Sequence, residues 1–469
     1  MSQLGLNSKR LRFLLNLNLI RSILRYMTSP TKDRKTMLEK VMLFYVKKYK
    51  PINWQELMVY YIIFIGIEVF RLCLRWNRQY LKEKIFSSPT LQIATVNLAR
   101  SIAQFGTTQP QQFTSPLLVV WNFTNRCNLK CLHCYQNAGE KKEQLSYEDR
   151  LRIIDQLSQE FVPALALSGG EPLADPELFA VIKAASQKGL YVSVATNGTL
   201  LTQDCCQKLL EAGVQYLEIS LDHSEPEYHD RFRGIPGVWK KTIEGIQNAV
   251  KSGIMVGIAP TITRANLMDL PRLYQLAIDL GAQRFYVFNF IPTGRAQSII
   301  DQDLSPQERE ELLAFLYQRL KNKTIFTFTT CPQFGRYCLE KDPQGIVITG
   351  HYSVSEGKNA RVAAEYIGGC GAGRAYCAVQ PDGVVTPCVF MPIPCGNLLQ
   401  EPFQQIWNQS PVMVQLRDRN RYQENCGSCV YRRVCGGCRA RAYAYFGDYL
   451  GPDPGCKFNQ ISYQKLLSA

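Results

Sequence analysis

Cys127, Cys131 and Cys134 stand in Asn125-Arg-Cys-Asn-Leu-Lys-Cys-Leu-His-Cys-Tyr135, a C-x3-C-x2-C triplet. Three thiolates so spaced can hold three irons of a cubane [4Fe–4S] centre and leave the fourth iron open to a non-protein ligand. A closed electron-transfer cluster would be expected to bring its own fourth cysteine. Disulfides pair cysteines and suit small secreted domains, whereas this chain has 469 residues and shows no secretory pattern at its start. Zinc sites usually combine two C-x2-C pairs or mixed Cys/His ligands. His133, between two of the cysteines, reads as loop packing.

A second thiol set lies far downstream. Of 17 cysteines, nine follow residue 369, and eight of these form the set: Cys370, Cys377, Cys388, Cys426, Cys429, Cys435, Cys438 and Cys456. Eight thiolates suffice for two fully ligated [4Fe–4S] clusters. Taken alone, Cys426-x2-Cys429…Cys435-x2-Cys438 also suits a zinc ribbon. Cys73, Cys205, Cys206, Cys331 and Cys338 read as packing thiols, while Cys395 is a spare that could replace one of the eight. So much free thiol implies a reducing interior.

Between the two sets, short apolar runs alternate with helical patterns, the mark of βα units and a parallel sheet. The pattern predicts strands at 117–123, 164–167, 191–195, 216–221, 256–262 and 284–290. Helices are predicted at 147–160, 176–189, 203–212, 239–252 and 270–280. Six βα units make an incomplete barrel or open sheet, in which ligands gather at the carboxyl ends of the strands. Polar punctuation falls at those ends: Ser168-Gly169-Gly170-Glu171, Thr196-Asn197-Gly198, Ser220-Leu221-Asp222 and Thr293-Gly294-Arg295.

With the triplet ahead of these endings, residues 115–325 resemble the radical S-adenosylmethionine (SAM) superfamily. The C-terminal cysteines, over about 365–460, are similar to the SPASM extension of radical SAM maturases. The resemblance implies an α/β fold: a partial (β/α)6 TIM-like barrel, a cysteine-rich SPASM domain and an N-terminal helical extension. The expected divisions are 1–110, 111–325, a linker at 326–369, and 370–469. It implies a SAM-binding [4Fe–4S] cluster on Cys127, Cys131 and Cys134. Two auxiliary [4Fe–4S] clusters would sit on Cys370, Cys377, Cys388 and Cys438 and on Cys426, Cys429, Cys435 and Cys456. Gly169, Gly170 and Glu171 would receive the SAM amino group, and Asn197, Ser220 and Asp222 would line its ribose and carboxylate. The family usually has an aromatic residue before the third cysteine; His133 stands there, with Tyr135 following.

The implied chemistry is reductive cleavage of SAM to a 5′-deoxyadenosyl radical and oxidative modification of a peptide or tetrapyrrole. The segment Cys435-Gly-Gly-Cys-Arg-Ala-Arg-Ala442 with Asp453-Pro-Gly-Cys456 resembles maturases of haem-type cofactors and of pyrroloquinoline quinone. Val389 follows Cys388 where the sulfatase-maturing branch carries an aspartate base, so no catalytic acid or base is assigned. A ferredoxin or flavodoxin would supply electrons. The non-catalytic alternative, an iron–sulfur electron-transfer or scaffold protein at a membrane surface, does not need the Gly-Gly-Glu segment.

Charge singles out the first 110 residues. They hold 18 Lys and Arg against 5 Asp and Glu, a net of +13, while the whole chain carries +15. Within them 58–67 is nearly all apolar, flanked by Lys47, Lys48 and Lys50 and by Arg71, Arg75 and Arg78; 11–23 is a second amphipathic stretch. A spanning helix needs about 20 apolar residues, and Glu68 and Arg71 interrupt this one. The expectation is a helix on an anionic membrane surface or a docked helical subdomain, in a cytoplasmic protein peripheral to the inner membrane face. No groove-reading motif suggests nucleic acid.

Overall fold

The computed structural model describes residues 8–31, 35–51, 54–73, 77–140, 143–349, 353–357 and 360–467. Eight strands build the barrel: β1 Leu118–Thr124, β2 Ala164–Gly169, β3 Tyr191–Thr196, β4 Tyr216–Ile219, β5 Met255–Ile258, β6 Thr261–Ile262, β7 Arg284–Asn289 and β8 Phe326–Thr329. The parallel order runs β1-β2-β3-β4-β5-β7, with β6 and β8 both paired to β7. Helices Tyr147–Gln159, Leu178–Gln187, Gln203–Ala212, Val238–Lys251 and Leu270–Asp279 occupy the crossovers. The alternation predicted these five helices and β1–β4 and β7 within a few residues, and β5 and β6 as a single strand at 256–262. It did not include β8 or the helix Pro226–Arg233. Because β8 belongs to the sheet, the barrel continues past the expected boundary at 325.

Strand alternation sorts β1 into two faces. Val119, Trp121 and Phe123 sit in the main core, while Leu118 and Val120 line an interior cavity. A small hairpin, β9 Val347–Thr349 with β10 Ser353–Ser355, stands apart from the main sheet. The cysteine-rich region then adds β11 Tyr376–Val379, β12 Val384–Thr386 and β13 Gly396–Asn397 to it. β11 pairs in parallel with β1, Leu118 opposite Tyr376 and Trp121 opposite Val379. The C-terminal region is thus the outer edge of the catalytic sheet.

Among the described residues, the extension is helical as expected: Ser8–Asn16, Asn18–Thr28, Met37–Tyr45, Trp54–Cys73 and Pro89–Phe105. The stretch 11–23 is interrupted at Leu17, and Arg75 lies outside the described residues. Met27, Leu38, Met42, Tyr45, Phe86, Ile93 and Val96 form a separate core that reaches the barrel at Phe161. Asn97, wholly buried, seals that junction: its amide donates to Ser115 Oγ (2.8 Å), Ser115 O (3.1 Å) and Phe161 O (3.0 Å). Replacing Asn97 with Ala strands these buried acceptors and should lower unfolding free energy by about 2 kcal/mol. The measurement is a reduced urea midpoint at unchanged m.

Candidate active site

The triplet loop leaves β1 and is held by backbone contacts on every side. Gly170 N donates to Thr124 O (2.7 Å) and Glu171 N to Arg126 O (2.8 Å). A Cβ on Gly170 would lie 2.1 Å from Arg126 O, and Gly169, at φ +127°, would place one 2.5 Å from Thr124 O. Only glycine lets β2 end this close to the loop. From the helix Pro226–Arg233, Arg233 O and Phe232 O accept from Lys130 N and Leu132 N. Arg295 donates to Cys131 O (3.0 Å) and Ala138 O (2.8 Å).

The three sulfurs face one cavity of ≈ 260 Å³ at the carboxyl ends of the strands. Leu129 N points at Cys127 Sγ (3.4 Å), Ala138 N at Cys134 Sγ (3.5 Å) and the Arg233 guanidinium at Cys131 Sγ (3.7 Å). Burial pushes the Cys127 thiol up to about 12, and Glu171 and the neighbouring thiols push the same way. Three adjoining thiolates therefore need the positive charge of bound iron, and the inward N–H donors suit such a cluster. Among the described residues no three His, Cys, Asp or Glu side chains close on a single metal ion. No disulfide joins any of the described cysteines.

Gly169, Gly170, Asn197 and Ser220 line this cavity, but two expected SAM contacts stand behind its wall. Glu171, fully buried, accepts from Thr196 Oγ1 (2.7 Å), Asn197 N (2.8 Å) and Leu173 N (3.1 Å). Its carboxylate ties the end of β3 to β2. Asp222 accepts from Arg233 Nε (2.6 Å) and Thr261 N (2.9 Å). Burial raises its pKa, but the Arg233 charge overrides that and holds it below the usual carboxylate range. Asp222 therefore positions Arg233, and it is Arg233 that reaches the cavity. His133 stacks on Phe232 at 4.1 Å and 13°. Burial lowers its pKa to about 3, so it is neutral.

Glu218 was missed. It lies on β4 two residues before Ser220, so alternation puts both on the cavity face. Burial pushes its carboxyl up to about 8, with Arg284 pulling the other way. The period-2 rule applied backward from Ser220 would have found it.

Cys370, Cys388 and Cys438 line the same cavity as the triplet. Tyr376 Oη donates to Cys388 Sγ (3.2 Å), and Cys438 caps the helix Arg439–Phe446, with Arg441 N directed at its sulfur (3.4 Å). Tyr135, whose hydroxyl donates to Asn122 Oδ1 (3.0 Å), meets Phe390 edge-on at 4.9 Å between the two thiol sets. Cys377 does not join them. Tyr376 and Cys377 are consecutive on β11, so when Tyr376 faces Cys388, Cys377 must face away. It is wholly buried in the main core beside Cys395 and Arg417. The expected four-cysteine set is thus three cysteines on the cavity and one behind the sheet.

Cys426, Cys429, Cys435 and Cys456 do converge, around a smaller pocket. Cys426 Sγ receives Asp453 N (3.4 Å), Arg439 (3.5 Å) and Asn459 Nδ2 (3.5 Å). Asp453 also accepts from Cys438 N (2.6 Å), so one buried carboxylate links the two C-terminal thiol sets.

Two measurements follow. In anaerobically reconstituted protein, Cys377→Ser should keep the parent iron content, while Cys388→Ala should lose about four irons per chain. Glu218 favours its protonated form when folded, so its contribution is present below the unfolded carboxyl pKa and lost as pH rises through about 8. Urea titrations of the apo protein should show stability falling across that window, with a smaller fall in Glu218→Gln.

Residues 121–277 match the Radical SAM superfamily, and residues 370–430 match SPASM, an iron-sulfur cluster-binding domain. The AdoMet-dependent heme synthase of Methanosarcina barkeri (strain Fusaro / DSM 804) is 37% identical, over 73% of this chain and 96% of that protein. The AdoMet-dependent heme synthase of Nitratidesulfovibrio vulgaris (strain Hildenborough) is 33% identical, over 73% and 92%. Streptococcus suis SuiB, solved bound to the precursor peptide SuiA, superposes with a TM-score of 0.66 at 18% identity, over 90% of this chain and 93% of that one. Likeness of this degree along nearly the whole of two relatives makes the chain a member of the radical SAM superfamily with a SPASM extension.

Proposed function

We propose that this radical SAM enzyme oxidatively modifies a side chain of a tetrapyrrole. The observation that carries the choice is the pair of heme synthases matched along more than nine-tenths of their length. The likeness to the peptide-bound SuiB is at 18% identity and speaks to fold alone. The cavity suits a flat conjugated ring: Tyr135, Tyr286, Phe288, Phe290, Tyr376 and Phe390 are on its wall. Among the described residues of 8–105 no β-strand offers an edge for an extended peptide.

The side chains divide the work. Cys127, Cys131 and Cys134 would hold the SAM-side cluster, which together with SAM would supply the power to abstract a hydrogen atom. Ser168, Asn197 and Ser220 offer hydrogen bonds to SAM, and Arg233 offers positive charge beside Cys131. Leu118, Val120, Ala195 and Ala259 keep water from the reacting carbon. Cys370, Cys388 and Cys438 would hold an auxiliary cluster on the opposite wall, and Cys426, Cys429, Cys435 and Cys456 the other. A cluster held on that wall would supply an acceptor for the second electron of a two-electron oxidation. A ferredoxin or flavodoxin would reduce the SAM-side cluster. The enzyme would work in the cytoplasm, peripheral to the membrane.

The test uses reconstituted protein with dithionite and SAM under anaerobic conditions. An iron tetrapyrrole bearing carboxylate side chains should accelerate 5′-deoxyadenosine release at least tenfold and itself lose mass. Acceleration by short peptides with none by tetrapyrroles would reverse the substrate assignment.

A further inference from the structure

The helix Trp54–Cys73 has two unlike faces. On one, Trp54, Met58, Tyr61, Ile62, Ile65, Val69 and Leu72 are between 51% and 67% exposed. At about 100° per residue these positions fall within an arc of about 100°. No charged side chain lies in that arc. On the other face Tyr60 is buried, and Ile63, Phe64 and Ile67 pack on the extension's core.

The helix's two acidic residues are turned inward and occupied. Glu56 accepts from Tyr49 (3.1 Å) and Tyr60 (2.7 Å) and lies 3.9 Å from Lys40. Glu68 takes the Tyr45 hydroxyl, Arg71 (2.8 Å) and Arg78 (3.2 Å). Exposed lysines stand at both ends, Lys47, Lys48 and Lys50 before the helix and Lys82 and Lys84 after it. No helix among the described residues is long and apolar enough to cross a membrane.

We propose that this face lies in the plane of an anionic lipid surface, with the apolar arc in the acyl boundary and the flanking lysines on lipid phosphates. The charge decides the occupant. A second copy would set +13 against +13, whereas an anionic headgroup layer neutralises it. Trp54 and Tyr61 are the residue types that settle at the membrane–water boundary. The junction at Asn97 ties this surface to the barrel, so lipid binding carries the whole enzyme. The inference deepens the peripheral location proposed above and is independent of the substrate.

Full-length protein is sedimented with phosphatidylcholine vesicles, with and without phosphatidylglycerol. It should pellet only with the anionic vesicles, be released by high salt, and show a blue-shifted Trp emission that Trp54→Phe removes. Ile62→Glu with Ile65→Glu should weaken binding by at least about tenfold, while Met268→Glu, at a site 89% exposed outside the extension, should not. SAM cleavage, measured on the same samples, should be unchanged in the double variant, so failure of lipid binding and failure of the enzymatic reading are told apart. Equal pelleting with neutral vesicles, or binding that survives the double variant, overturns the proposal. So does a dimer in light scattering that the double variant splits while no vesicle binding is seen.

Discussion

The parallel pairing of β11 with β1 is the contact on which the site depends. Each strand has two faces, and the register sets both at once. With Tyr376 beside Leu118, the C-terminal edge delivers Cys388 to the cavity that β1 opens, and the loop after β1 delivers the triplet to the same space. A slip of one residue would exchange Tyr376 for Cys377 on that wall. The hydroxyl that now meets Cys388 would then be buried in the core without its partner. The pairing therefore joins two iron–sulfur regions into one reaction chamber.

Buried charge then holds the chamber's back wall. Arg441 reaches Asp303 (3.4 Å) and Asp453 (3.3 Å), and with Arg309 it shares Asn289 at the end of β7. Charges taken out of water are tolerated only when paired and hydrogen-bonded, and here the pairing also serves the thiolates. Arg233 faces Cys131 as Arg439 faces Cys426. Each arginine is oriented by something else, Asp222 for the first and the carbonyls of Tyr449 and Gly451 for the second. Donors aimed at cluster sulfurs raise reduction potential. Cys426 receives three such donors, Asp453 N, Arg439 and Asn459 Nδ2, which would act on a cluster held there.

Much of this was legible beforehand because strands, crossover helices and cysteine spacings are written in local pattern. Period-2 and period-3.6 hydrophobicity placed six strands and five helices, and the strand ends pointed at the cavity. What failed was direction across space. Cys377 falls in the right interval for a ligand, yet whether it looks at Cys388 or at Cys395 is decided by β11 being a strand at all. Gly-Gly-Glu and Ser-Leu-Asp announce a site, but not which member faces inward; Glu171 and Asp222 serve the wall from behind. β8 was passed over because its four residues, Phe-Thr-Phe-Thr, follow a polar turn and lie where a linker was expected.

The extension shows the opposite economy from the core. Where the barrel buries charge to orient a cluster loop, the helix Trp54–Cys73 buries Glu56 and Glu68 and leaves its outer arc bare. Both carboxylates are partnered where they are buried, while a contiguous apolar stripe on the surface is the mark of an interaction face. The heme synthases correspond to about three-quarters of this chain. The lopsided charge and the bare arc belong to 1–110, while residues 121–277 and 370–430 carry the family's matches. The extension and the barrel thus have separate cores, joined through Phe161 and Asn97.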